Sequence, residues 1–342
     1  MSLKNLNAKI KTPKVLQKKL DNKKILQIYK KFEKDLNIKQ NFVVAVSGGP
    51  DSLALAFLAK IYSIKKKLIS KFFIVDHRLR KNSSQEAKYV KKILNSMGIF
   101  SHILVWRGKK PSKNIQSIAR NKRYELIINQ CNKLKFENIL LGHHQDDLME
   151  NFFLRILRGS GLKGLISLDK KTKIKKINLH RPLLNQKKEN LIYIAQSVFD
   201  FYVEDPSNQN EKFQRIRIRN LIKELKKNGL DKKKFLNTIK NLKHSDSAIN
   251  FYVRQNLKEN TFFFKKKKEY ILNKNFFQQA HEIVFRSLST ILHDIGGKYY
   301  SVRGKKIDLL ISNIKNNKLS KVTLGGCIIK ICQETVIITK EY

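Results

Sequence analysis

FVVAVSGGPDSLALAFLAKIY, residues 42–62, sets two glycines, a proline, an aspartate and two serines between a five-residue apolar run and a segment with apolar residues at helical spacing. The run reads as a buried strand and the segment beyond it as a helix, so the polar residues fall on a strand-to-helix turn. Such a turn exposes successive backbone N–H groups, and the helix N-terminus adds partial positive charge, so phosphate oxygens bind there. Gly48 and Gly49 let backbone approach a ligand, Ser47 and Ser52 offer hydroxyl donors, and Asp51 is placed to hold a divalent metal against phosphates. The pattern is not a Walker A loop, whose lysine is missing from residues 47–53. An ordinary Pro-Asp turn would account for Gly48 to Asp51, but for neither the serines nor the strand-turn-helix setting.

Outward from this turn, strand-like and helix-like stretches alternate. FFIVD (72–76), SHILVW (101–106) and ENILLG (137–142) are short, apolar and bounded by polar residues. Between them, Leu53 to Tyr62, Gln85 to Met97 and Asn114 to Leu134 carry apolar residues three and four apart, with Ser52 and Ser83 or Ser84 as expected caps. Alternation of this kind predicts an α/β fold with a doubly wound, mainly parallel, Rossmann-like sheet. After about residue 160 the pattern changes. A less regular basic stretch, KKTKIKK (170–176), leads into a mainly helical region at 186–260, and from 269 short strand signals flank one more helix at 276–293. These changes predict a first domain over 1–222 and, over 223–342, a helical appendage with a small α+β C-terminal domain.

The 342 residues include 72 Lys and Arg against 27 Asp and Glu, a net charge of +45. A polyanionic partner is expected, because such a surface attracts phosphate backbones at long range; a lysine-rich coding bias would enlarge the charge without any ligand. No apolar run approaches the ~18 residues of a membrane span, and the first forty residues hold neither a signal-peptide block nor an arginine, so a cytoplasmic protein with no membrane partner is expected. Cys131, Cys327 and Cys332 have no metal-ligand spacing and read as reduced, buried thiols.

A second cluster lies at 142–150. With a helix starting near Gln145, His143 stands at its entrance, Asp146 and Glu150 share a face at i, i+4, and Asp147 falls beside Glu150 at i, i+3. Three readings fit: carboxylates of a nucleotide site, first-turn acids that complement the helix dipole, or a hydrolase metal centre built on His143, His144, Asp146 and Asp147. In a helix through 215–226, Ile218, Leu221, Ile222 and Leu225 form an apolar stripe, with Arg215 and Arg219 projecting together from another face. Arg120 and Arg123 fall on the third helix of the sheet domain, where they would meet phosphate or an RNA backbone, or pair with surface acids. His77 suits strand-end packing as well as a nucleotide contact. FFFKKKKEY (262–270) mixes aromatics with lysines as RNA-contacting surfaces do, and equally as a strand edge followed by a solvated turn.

SGGPDS (47–52) resembles the SGGxDS pyrophosphate loop of the N-type ATP pyrophosphatases, and further segments resemble the tRNA(Ile)-lysidine synthetases within that superfamily, in their shorter form. These are VDHRLR (75–80), IARNKRYELI (118–127), GHHQDDLMENFFLRILRGSGLKGL (142–165), HRPLL (180–184), VEDPSN (203–208), RIRIRNLI (215–222) and TLGGC (323–327). Asn151 stands where the family usually has Thr, and Ile216 where Asn often sits. The resemblance implies an ATP-dependent ligase that adenylates O2 of the wobble cytidine of the CAU-anticodon tRNA(Ile), then attaches free L-lysine through its ε-amine at C2. It also implies ATP and Mg2+ as cofactors, and ATP contacts from Ser47, Gly48, Gly49, Pro50, Asp51, Ser52, His77, Gly142 and His143. Asp51, also the implied Mg2+ ligand, and Asp147 become the catalytic residues, with Arg120, Arg123, Asp146, Glu150, Arg215 and Arg219 toward lysine and tRNA. Alternatives are a tRNA cytidine thiolase, which would want cysteines to carry sulfur or a cluster, and an inactive RNA-binding relative. Oligomeric state stays open, a homodimer included.

Overall fold

The computed structural model describes residues 14–80, 82–108, 111, 115–174, 176–204, 214–297, 302–318 and 320–341, and divides into two compact units, Met1–Leu230 and Asp231–Tyr342. The DPSN part of the 203–208 segment and the expected helix start at Asn114 lie outside the described residues.

In the first unit, α1 (Lys14–Leu20) and α2 (Lys23–Leu36) precede β1 (Phe42–Val46), α3 (Pro50–Lys65), β2 (Ser70–Asp76), α4 (Ser83–Ser96), β3 (Ser101–Val105), α5 (Ile115–Leu134) and β4 (Asn138–Leu140). There follow α6 (Gln145–Ile156), the short α7 (Leu162–Leu165), β5 (Lys171–Ile174), β6 (Ile177–His180), α8 (Lys188–Phe199) and α9 (Gln214–Lys227). The sheet runs β3-β2-β1-β4-β6-β5, with β3 through β6 parallel and β5 antiparallel at the edge. This is the doubly wound α/β fold expected from the sequence. Its strand order reverses between β1 and β4, which opens a crevice at their carboxyl ends.

Three local expectations change. The basic stretch at 170–176 is not irregular: Lys171–Ile174 is the edge strand β5, with Lys171 and Lys173 exposed at period two as an edge strand tolerates. The cap of α3 is Gly49, with Pro50 at the first helical position where its missing N–H costs nothing. At α4 the cap is Asn82, and the Ser83 and Ser84 hydroxyls instead donate to Asp76 at 2.9 and 2.6 Å.

Helix α3 is apolar nearly all round, with Leu53 through Leu58 fully buried against β1, α2 and α8. Leu53, Leu55, Phe57 and Leu58 each contribute roughly 1.5–3 kcal/mol by burial, so the turn at the head of the helix sits on one of the firmest parts of the unit. Gly48 in that turn has φ +90°, and a Cβ there would lie 2.6 Å from Val90 Cγ2. The Val203 N–H donates to the Gly48 carbonyl at 2.9 Å, so the chain beyond α8 pins the turn from above. Gly48→Ala should therefore cost about 2 kcal/mol through strained φ and contact with Val90 and Val203. A melting temperature lowered by about 4–8 °C is expected in thermal unfolding; an unchanged one would contradict it.

The second unit holds α10 (Lys232–Glu259), β7 (Thr261–Phe264), β8 (Glu269–Leu272), α11 (Lys274–Gln278), α12 (His281–Gly296), α13 (Gly304–Lys315), β9 (Lys321–Leu324), β10 (Cys327–Cys332) and β11 (Thr335–Lys340). Its antiparallel sheet runs β7-β8-β11-β10-β9. Helix α12 lies against one face, where Leu288, Ile291, Ile329 and Ile338 are fully buried. Gly325 and Gly326, both at positive φ, make the two-residue turn between β9 and β10. Helix α10 belongs to this unit: buried Arg286 of α12 pairs with Asp246 of α10 at 2.5 Å and with Glu282 at 2.6 Å. Two departures from the sequence reading stand out, the additional helix α13 and the exposure of Cys332, whereas Cys131 and Cys327 are buried.

Candidate active site at the carboxyl edge of the parallel sheet

Every site residue expected from the sequence lies in the first unit, on turns and helices that follow the parallel strands or on α9, which packs on α6. The turn after β1 is fixed from inside by Ser52. Its buried hydroxyl accepts the N–H groups of Ser47 and Gly48, each at 3.1 Å, and donates to the Gly49 carbonyl at 3.0 Å, with the Ser47 hydroxyl donating to it at 3.2 Å. Ser52 is thus a staple of the loop. Two N–H groups expected to face a ligand are consumed in the same way, while those of Gly49 and Asp51 have no protein acceptor among the described residues.

Gly142, in the turn after β4, comes so close that a Cβ there would be 3.3 Å from the Asp51 carbonyl, which brings the two loops together across the crevice. Asp51 Oδ1 is buried without a hydrogen-bond partner, and Oδ2 lies 3.5 Å from His144 Nε2. His144, not His143, caps α6. Its Nδ1 accepts the Asp146 N–H at 3.2 Å, and its own N–H donates to Asp147 Oδ2 at 2.8 Å. The imidazole thus stands between Asp51 and Asp147, the latter 3.8 Å from Nε2. Burial opposes its charged form, but Asp51, Asp147 and Asp146 outweigh that and raise its pKa. Glu150, one turn on, is buried and receives Arg219 from α9 at 2.6 and 3.3 Å. Arg219 is therefore engaged by this carboxylate.

Opposite these acids stands a group of cations. Arg120 donates to the Tyr124 hydroxyl at 3.1 Å, and Arg123 Nε donates to His77 Nε2 at 3.3 Å. Burial and then Arg120 and Arg215 depress the Arg123 pKa; burial and then Arg120 do the same to Arg215. Buried Arg181, after β6, donates to the Asp169 carbonyl and to Thr172 Oγ1, both at 2.8 Å. It was not among the expected site residues; the signal for it is an arginine directly after a buried strand, since arginine is seldom buried without a purpose. His143 sits among these arginines with Nδ1 unpartnered, its pKa held well below the ordinary value by burial and by Arg120, Arg181 and Arg215. His77, edge-on to Trp106, is held at about 4 by burial and Arg123, so it is neutral, and its bond from Arg123 leaves Nδ1 carrying the proton. Guanidinium groups keep their charge under such pressure, so this corner of the crevice is strongly anion-seeking.

Among the described residues no group of three or more His, Cys, Asp or Glu is arranged to hold a metal by itself, which removes the hydrolase centre on His143, His144, Asp146 and Asp147. The unpartnered Asp51 Oδ1 beside a phosphate-type turn does suit Mg2+, which is commonly bound by one or two carboxylates together with substrate phosphates.

The PP-loop domain family profile matches residues 17–225. The tRNA(Ile)-lysidine synthase of Orientia tsutsugamushi (strain Boryong) is 32% identical over 311 residues, covering 87% of this chain and 69% of the relative. That of Rickettsia felis is 31% identical over 324 residues, 92% of this chain and 74% of the relative. The chain belongs to the tRNA(Ile)-lysidine synthase family of PP-loop proteins. Membership makes it an ATP-dependent ligase. Among solved structures, the U34-tRNA thiolase NcsA from Methanococcus maripaludis with its [4Fe-4S] cluster superposes with TM-score 0.54 at 18% identity, over 65% of this chain and 79% of that one. That likeness concerns the fold. Of the two departures from the family pattern, Asn151 donates to Ser167 Oγ at 3.3 Å, and Ile216 is buried on α9. Ile216 thus joins Ile218 and Ile222 in the docked face of α9, from which Leu221 turns out to solvent. No helix among the described residues is long and apolar enough to cross a membrane.

The histidines of the first unit carry a pH prediction. His77 and His180 have folded-state pKa values of about 4, and His143 is lower than its ordinary value as well. Between pH 6.5 and 4 the unfolded chain binds protons that the folded one refuses, so the stability they contribute is present above 6.5 and lost as pH falls. His144 acts oppositely, its contribution being lost as pH rises, but it is one against three. Thermal unfolding should therefore show a lower melting temperature at pH 5 than at pH 7; an equal or higher one would contradict the burial of these neutral rings.

Proposed function

We propose that this chain modifies the CAU-anticodon tRNA(Ile), using ATP to activate O2 of the wobble cytidine and free lysine to displace it, which yields lysidine. In the first step O2 attacks the α-phosphorus and pyrophosphate departs. In the second the ε-amine attacks C2, AMP departs with the oxygen, and the amine loses its protons. The product reads AUA in place of AUG.

The single observation that carries the reading is the juxtaposition, across one crevice, of a stapled phosphate loop with an unpartnered Asp51 oxygen and a neighbouring carboxylate set led by Asp147. The N–H groups of Gly49 and Asp51, aided by the helix dipole of α3, would receive the leaving pyrophosphate. Mg2+ held by Asp51 would supply positive charge to the same oxygens. Nδ1–H of neutral His77 is a donor for the nucleotide, and His143 is an acceptor among the arginines. Lysine arrives as an ammonium ion with a free pKa near 10.4, so it needs an anionic dock and a proton acceptor. Asp147 and Asp146, at the start of α6, serve these needs, with Glu150 held in place by Arg219. Arg120, Arg123, Arg181 and Arg215 would hold the tRNA phosphate beside the target base. We assign tRNA binding also to the second unit.

A thiolase reading has no support from the cysteines. Cys131 is fully buried with its thiol pushed up to about 12 by that burial, and Cys327 and Cys332 lie in the second unit. The deciding experiment incubates the purified protein with tRNA, ATP, Mg2+ and isotope-labelled lysine, then digests the tRNA and weighs its nucleosides. A cytidine heavier by one lysine residue is expected. Sulfur incorporation, or ATP consumption indifferent to lysine and tRNA, would overturn the reading.

A further inference from the structure

The antiparallel sheet of the second unit has one face covered by helices and one that no element among the described residues of the unit covers. Directly opposed residues on neighbouring strands share a face. Across all five strands one unbroken row can be read from the register: Phe262 opposite Ile271, Ile271 opposite Ile337, Ile337 opposite Lys330, Lys330 opposite Lys321. The next row, on the other face, includes Ile338 and Ile329, both fully buried under α12. In the open row Phe262 is 61% exposed, Lys330 and Lys321 are exposed, and the two isoleucines are only half-buried. Four strand spacings of about 4.8 Å make the row about 19 Å long.

Its chemistry is graded. One end offers an aromatic ring beside the exposed four-lysine turn 265–268, with Lys267 near the Phe264 ring, and the middle is a flat aliphatic strip. The far end carries two adjacent lysines. A protein partner seated along the whole row would have to cover these end lysines, and interfaces are depleted in lysine relative to the rest of the surface. A strand of unpaired nucleotides satisfies both ends at once, with a base stacked on Phe262 and phosphates on the lysines. We propose that this open sheet face, centred on Phe262, Lys330 and Lys321, binds single-stranded segments of the tRNA substrate. The proposal rests on the tRNA reading of the chain and names the surface by which the second unit serves it.

The test uses the full chain, a fluorescently labelled tRNA and an unstructured RNA oligonucleotide. Phe262→Ala should weaken binding of both RNAs by about tenfold, the loss expected for one base-aromatic stack, and Phe262→Tyr should restore it. Lys321→Ala with Lys330→Ala should lower the salt dependence of oligonucleotide binding by about 1.4 in slope, two phosphate contacts' worth. Phe262→Ala binding both RNAs as tightly as the unaltered chain would overturn the proposal while leaving the tRNA reading intact. So would a loss of self-association in place of RNA binding, which would give the face to a second copy. An unaltered chain that binds no tRNA would overturn both.

Discussion

Asp51→Asn is expected to lower release of AMP and pyrophosphate by about a thousandfold or more, while affinity for tRNA stays within about twofold. The substitution keeps shape and one acceptor oxygen but removes the charge. The Oδ1 atom has no protein partner to lose, and the contact of Oδ2 with His144 is a long one, so the fold has little stake in the carboxylate. The stake lies with the leaving group, where charge builds up as the α–β phosphate bond breaks, and interactions strengthened only in the transition state fall on kcat. Removing one such interaction elsewhere costs about 10²–10³, and a site that also organises Mg2+ should lose at least that much. Discharge assays with labelled ATP alongside tRNA filter binding separate the two quantities. Near-normal turnover would reject the metal role of Asp51; an equal loss of tRNA binding would show that the carboxylate supports the RNA surface instead.

Much of the first unit is legible in its sequence because buried parallel strands write themselves as bare apolar runs. FVVAV, FFIVD and the glycine turn between β1 and α3 announce a doubly wound sheet whatever surrounds them. Lysine-rich segments are harder to read. In Lys171–Ile174 the period-two pattern alternates lysine with threonine and isoleucine and resembles a solvated loop until a neighbouring strand claims it. In α13 the apolar positions Ile307, Leu310, Ile311 and Ile314 have helical spacing, yet Gly304, Lys305 and Lys306 precede them and Lys315 follows. The site shows the same split. Residue types at 47–52 disclose a phosphate loop, but not that Ser52 turns inward, because that depends on the buried position its backbone takes at the head of α3. The pair His143-His144 cannot be resolved by composition either. Which imidazole caps the helix is decided by extended backbone at residue 144, φ −124° and ψ −172°, and that choice sends the other ring toward the arginines. Arg219 likewise looks like a free cation until α9 docks on α6 and delivers it to Glu150.

Asp147 is where structural and chemical roles coincide, and isosteric substitution can part them. Its Oδ2 accepts the His144 N–H at 2.8 Å and so closes the capping box of α6. An asparagine oxygen accepts the same bond, so Asp147→Asn should leave the melting temperature within about 2 °C. Asp147→Ala, which gives up the cap, should cost about 1 kcal/mol more. If the carboxylate only capped the helix, Asp147→Asn would turn over normally. As the dock and proton acceptor for the lysine ammonium it should instead lose about 10²–10³-fold in lysidine formation, with most of the loss in the lysine-dependent step. Adenylated tRNA should then accumulate, since Asp51 and the phosphate loop are untouched, and raising pH should recover part of the rate by deprotonating the amine in solution. Rapid-quench measurement of AMP and of lysidine in the same reaction distinguishes the outcomes. Equal suppression of adenylation and lysine transfer would mean that Asp147 works through the His144 imidazole, which stands between it and Asp51.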